Sequence, residues 1–75
     1  MNIEILTPDK TLYSGEANIV TFPGTEGSFQ VKENHASMIS SLGKGTLTIN
    51  SENEHSFEIE GGLVEVLKNK IVVLV

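Results

Sequence analysis

Cysteine, tryptophan and arginine are all missing from this chain of 75 residues. Without cysteine there is neither a disulfide framework nor a thiolate metal site, so packing alone must hold the fold. Without arginine the bidentate guanidinium that most often reads a base edge is gone, and the cations left to neutralise phosphates are five lysines against ten acidic residues. The net charge of −5 and the isoelectric point near 4.8 argue further against nucleic acid and against direct binding of anionic lipid. The aromatics, Tyr13, Phe22, Phe29 and Phe57, are too scattered for a base-stacking platform. No hydrophobic run exceeds Ile71–Val75, far below the ~20 residues that span a bilayer as a helix. The opening Met1-Asn2-Ile3-Glu4 has neither the basic nor the apolar part of a signal peptide.

What is present repeats with a period of two. Asn2–Leu6, Ala17–Phe22, Thr46–Asn50 and Phe57–Glu60 each alternate apolar and polar residues, the pattern of half-buried antiparallel strands. Turn-forming clusters separate them at Thr7–Lys10, Ser14-Gly15, Pro23-Gly24, Gly43–Gly45, Ser51–Glu54 and Lys68–Lys70. Eight to ten short strands and no amphipathic helix predict an all-β domain over residues 1–75, a flattened sandwich or barrel. Leu63–Leu67 and Ile71–Val75 are more apolar than the rest and are expected centrally, as a hairpin whose turn places Asn69 in a left-handed conformation. At this length stability should be about 4 to 11 kcal/mol, taking ~0.05–0.15 kcal/mol per residue.

Pro23 to Leu42 concentrates the functional signal: a glycine-flanked loop carrying Glu26, a short strand, then His35 opening an apolar run. Loops that present side chains from a rigid scaffold are where small β proteins keep their function. Glu26 and His35 as acid and base, with Ser28 or Ser37 as nucleophile, would need a shared pocket, a third orienting group and a nucleophile elbow, none of which the sequence supplies. Partner binding stands against a plainer reading, in which Glu26 is a solvated carboxylate and His35 orders the turn before Met38. His55 reads as a solvated histidine, Gly61-Gly62 as a bulge or bend, and Glu52, Glu54, Glu58 and Glu60 as the exposed face of a hairpin.

Four segments together resemble one known family. Pro23-Gly24-Thr25-Glu26-Gly27-Ser28-Phe29 with His35-Ala36 is similar to the N-terminal domain of the ε subunit of F-type ATP synthases. So, in order and spacing, are Ile5–Pro8 with Leu12–Glu16, Gly61–Val66, and Asn69–Leu74. The resemblance implies a sandwich of two five-stranded antiparallel sheets, non-catalytic by itself and without cofactor. Its place would be the central stalk, peripheral to the membrane on the cytoplasmic face of the bacterial plasma membrane. By similarity Pro23, Gly24, Thr25, Glu26, Gly27 and Ser28 would meet the c-ring, and Thr7, His35, Met38, Ser40 and Leu42 the γ subunit, passing torque indirectly to the α3β3 head. Alone, the domain is expected to be a monomer. The alternative is an unrelated β-sandwich adaptor, which would not bind γ.

The chain also departs from the family pattern. Glu33-Asn34-His35 stands where Pro-Gly-His is common, and Asn34 is expected to carry the positive φ that glycine would take. Gly43-Lys44-Gly45 replaces Lys-Pro-Gly, and Ser28 stands where an acidic residue is frequent. No helical hairpin follows the sandwich, so the inhibitory and ATP-binding functions of that hairpin are not expected of these residues. Met1 at the start and no appended tag are read as a naturally short form.

Overall fold

Period-two segments make strands wherever their apolar set can face a common core. In a computed structural model describing residues 1–75 they do so nine times, with no helix. The strands are β1 (Asn2–Leu6), β2 (Thr11–Glu16), β3 (Ile19–Gly24), β4 (Gly27–Lys32), β5 (Met38–Leu42), β6 (Gly45–Asn50), β7 (Glu54–Ile59), β8 (Gly62–Leu67) and β9 (Lys70–Leu74). Their order is β2-β1-β9-β8-β5-β3-β6-β7, with β4 on the flank of β3. β5 and β3 meet through a single pair, Gly24 with Leu42, so the sheet folds there into a half of five strands and a half of four.

The all-β sandwich expected from the alternation is therefore what forms, with nine strands where two sheets of five would need ten. One pairing also differs from a purely antiparallel plan. β1 and β9 run parallel, Ile3 beside Ile71 and Ile5 beside Val73. A parallel pair needs a crossover between its strands, and here the whole intervening chain serves as one. Main-chain bonds from the Asn2 N–H to the Asn69 carbonyl (2.8 Å) and from the Val75 N–H to the Leu6 carbonyl (2.9 Å) extend that pairing at both ends.

Registry stacks the inward residues into continuous layers. Ile3, Ile71 and Val66 align across β1, β9 and β8, as do Ile5, Val73 and Val64, while Val31, Val20 and Ile49 align across β4, β3 and β6. All are fully buried, and no polar side chain is. As expected from composition, β8 and β9 lie at the centre of the five-stranded half. On the opposite side of the sandwich the edges of β2 and β7 share no ladder. Tyr13 closes that seam by packing on His55 and Phe57, with ring centroids 5.2 and 5.7 Å apart.

The turn between β8 and β9 corrects one expectation. Lys68, not Asn69, takes the left-handed conformation, at φ 52°. Asn69 has a different task. Its carboxamide oxygen accepts from the Asn34 N–H (2.8 Å) and its amide nitrogen donates to the Asn34 side-chain oxygen (3.1 Å), joining the β4–β5 and β8–β9 turns. Asn34 is itself at φ 60°, as expected of a residue standing in place of glycine.

Candidate functional site

The β3–β4 hairpin is tight because Gly24 pairs with Gly27, leaving Thr25 and Glu26 at its tip. That tip does not project freely. Pairing of Gly24 with Leu42 brings it against β5, where the Thr25 hydroxyl lies 3.1 Å from that of Ser41, the Thr25 N–H points at the Ser41 carbonyl (3.4 Å), and the Gly43 N–H donates to the Pro23 carbonyl (2.7 Å). A groove forms between tip and strand, lined by Gly24–Phe29 on one side and Ile39–Ser41 on the other. Gly24–Ser28, which the family resemblance assigns to one surface, thus share a groove with Ser40, one of the five residues it assigns to the other.

Their exposures differ, and this decides what each can touch. Thr25, Glu26, Gly27 and Ser28 are exposed, with Pro23 and Gly24 half-buried behind them. On β5 the even-numbered residues point inward: Met38 and Ser40 are half-buried and Leu42 is only 4% exposed. Met38 packs on the core and Leu42 belongs to it, so neither is a free apolar surface. His35, half-buried, bonds through Nδ1 to the Ala36 carbonyl at 2.7 Å, which orders its turn as the plainer reading expects. Thr7 is not brought to this surface. Its hydroxyl oxygen accepts from the Asp9 and Lys10 N–H groups (3.2 and 3.0 Å) at the end of β1. Two strands, β9 and β8, separate β1 from β5, a span of about 14 Å at ~4.8 Å per strand.

Catalytic use of Glu26 and His35 finds no geometry to support it. The groove that holds Glu26 does not include His35, whose ring is engaged with its neighbour's carbonyl. His55 and the four glutamates of the β6–β7 hairpin are exposed, as expected of a solvated face.

The surface missed by motif reading is the outer face of the five-stranded half. Ile39 is 66% exposed, Leu67 51%, Leu74 49% and Leu63 40%. Registry makes them neighbours: Leu63 pairs with Leu74 and Ser41, and Ile39 pairs with Glu65 between Leu63 and Leu67. Four of the five exposed large apolar side chains of the molecule thus share one sheet face. A signal was available, because Leu63-Val64-Glu65-Val66-Leu67 and Ile71–Val75 each place apolar residues on both faces of a strand, and only one face of β8 and β9 is needed for the core. Contiguous exposed apolar surface of this kind marks interaction sites.

Comparison with known proteins identifies the family of this fold. The family model for the ATP synthase Delta/Epsilon chain β-sandwich domain matches residues 1–75. Among curated relatives, the ATP synthase epsilon chain of Chlorobium limicola is 42% identical, over 96% of this chain and 84% of its own length. That of Salinibacter ruber is 39% identical, over 99% of this chain. The chain spans only 56% of the Salinibacter protein's length. Two solved structures share the fold: a chain of the Euglena gracilis mitochondrial ATP synthase (TM-score 0.88, 18% identity, 96% of this chain and 48% of that one) and one of the Tetrahymena thermophila central stalk and c-ring (TM-score 0.81, 22% identity, 97% and 60%). With a full-length family match, a relative at 42% identity and the nine-stranded sandwich in agreement, the chain belongs to the ATP synthase Delta/Epsilon β-sandwich family.

Proposed function

We propose that residues 1–75 form a non-catalytic joint in the central rotor of an F-type ATP synthase, gripping the γ subunit on the β5 side and resting on the c-ring with the β3–β4 tip. The observation that carries this is the bonding of the tip to β5 through Gly24–Leu42 and Thr25–Ser41. A joint must pass load between two partners without slipping, and here both contact surfaces belong to one hydrogen-bonded unit. Family membership and the likeness to chains of whole ATP synthases support the reading. The domain would lie peripherally at the cytoplasmic face of a bacterial plasma membrane, bind no nucleotide, and be a monomer until γ covers its apolar face.

Within the γ surface, Met38, Ser40 and His35 serve as supports and Ile39 supplies the exposed apolar contact. Interfaces draw most of their energy from a few desolvated apolar anchors. Ile39→Asp should therefore weaken γ binding by about 2 kcal/mol or more, while folding stability changes by less than ~0.5 kcal/mol because the side chain is on the surface. Titration of purified γ against wild type and variant, with urea melts of both, checks this. Equal affinities would remove β5 from the γ interface. Glu26→Lys inverts the charge at the exposed tip, and should leave γ affinity unchanged while lowering the coupling of ATP hydrolysis to ion pumping in membrane vesicles. Normal pumping by the variant would take the tip's charge out of the ring contact.

A further inference from the structure

We infer that β5 offers an unpaired main-chain edge, and that the γ subunit docks there by adding an extended strand to the five-stranded half, not through side chains alone. This rests on the reading that β5 faces γ and specifies how. The direction of the β5 backbone follows from its bonds. The Ser41 carbonyl and the Gly43 N–H are both engaged with the β3–β4 hairpin, at Thr25 and Pro23. Main-chain groups alternate sides along an antiparallel strand. Even-numbered residues of β5 therefore bond to β8, and Ile39 and Ser41 point away from it. β3 reaches β5 at Gly24 only. Ile39 N–H, Ile39 C=O and Ser41 N–H are left without a main-chain partner, a short template for another strand.

The other edges are protected in the ways that natural sheets protect theirs. β7 carries Glu54, His55 and Glu58, β2 has a register irregularity opposite Leu6 and packs Tyr13 on β7, and β4 ends in Lys32. β5, reading Met-Ile-Ser-Ser-Leu, has no charge, no proline and no bulge. An added strand would lay one set of side chains beside Ile39 on the outer face and the other over half-buried Met38 and Phe29 at the mouth of the sandwich. Glu65 beside Ile39 and Glu26 at the tip frame the edge, on a chain of net charge −5. The occupant is accordingly an extended γ segment of alternating apolar residues with a lysine or arginine at its margin.

The test is amide hydrogen exchange on the whole subunit, free and in complex with γ, together with Ile39→Pro and Ile39→Ala. Proline removes an N–H that takes no part in the β8 ladder, whereas alanine keeps the N–H and removes the side chain. Strand addition slows exchange at the Ile39 and Ser41 amides by about 100-fold or more in the complex, with the Met38 amide slow in both states. It also makes Ile39→Pro bind γ about tenfold more weakly than Ile39→Ala. If both amides stay fast in a complex that forms, and the two variants bind alike while Ile39→Asp binds poorly, γ docks by side chains and strand addition is overturned. If no Ile39 variant alters γ binding, the γ assignment of β5 falls with it. Should Ile39→Pro fail to fold, the exchange data on the wild type decide alone.

Discussion

Truncating Phe22 to alanine should cost the domain about 3–5 kcal/mol of its stability. The side chain lies on β3, is fully buried, and stacks on Phe29 with ring centroids 5.3 Å apart. It is the largest fully buried residue in a core of 15. Phe→Ala in a core typically costs about 3–5 kcal/mol, transfer and cavity terms together. Against a total of about 4 to 11 kcal/mol for a chain of this length, that is about a quarter of the stability or more. The position matters beyond its volume. Phe22 pairs with Phe29 two residues before Gly24, so the cavity opens directly beneath the hairpin tip. Urea denaturation of wild type, Phe22→Leu and Phe22→Ala gives the measurement, with leucine expected to lose much less. A loss below about 1 kcal/mol for alanine would mean that the core collapses to fill the space.

Gly62→Val should be nearly as damaging, for a reason unrelated to cavities. Gly62 sits at φ +149°, a region that side-chain-bearing residues rarely adopt, and a Cβ there would collide with the Leu74 main-chain carbonyl and come within 3.0 Å of the Val75 side chain. A carbonyl in a central strand cannot swing aside as a surface side chain can. The φ strain costs about 1–3 kcal/mol, and the collision adds to it by displacing β8 from β9. Gly62 also pairs with Leu42, the residue that joins β5 to Gly24. On the proposed contact of β5 with γ, the variant should therefore lose γ affinity along with stability. Gly27→Ala is the matched control, because Gly27 also has positive φ, +120°, but a Cβ there meets open space. Calorimetry should find Gly62→Val the less stable of the two by several degrees in Tm, and equal losses would assign the whole effect to φ.

How far the site was legible in the sequence varies residue by residue. The tip was plain: Pro-Gly-Thr-Glu-Gly reads as a turn with an exposed carboxylate, because turn chemistry is local. β5 was only half legible. Met-Ile-Ser-Ser-Leu shows no clean alternation, so which residues face inward could not be read from it. Registry against Val64 and Val66 settles it, turning Met38, Ser40 and Leu42 inward and Ile39 outward. Thr7 was grouped with this surface by family likeness alone, and the strand order puts two strands between them. Asn69 was correctly placed in a turn, but its hydrogen bonds to Asn34 join positions 35 residues apart, beyond what either local turn can reveal.

By itself the sequence determined that the chain is all-β, which residues form the inward set in the alternating strands, where most turns fall, and which function classes its missing cysteine and arginine leave out. Each of these depends on a residue and its near neighbours, where side-chain period and turn preference are decisive. Tertiary structure alone decided that β1 and β9 pair in parallel, that the β3–β4 tip is bonded to β5, and that Ile39, Leu63, Leu67 and Leu74 gather on one exposed face. Alternation states which side of a strand is apolar but not which strand lies beside it. That choice is made by the packing of the whole core at once.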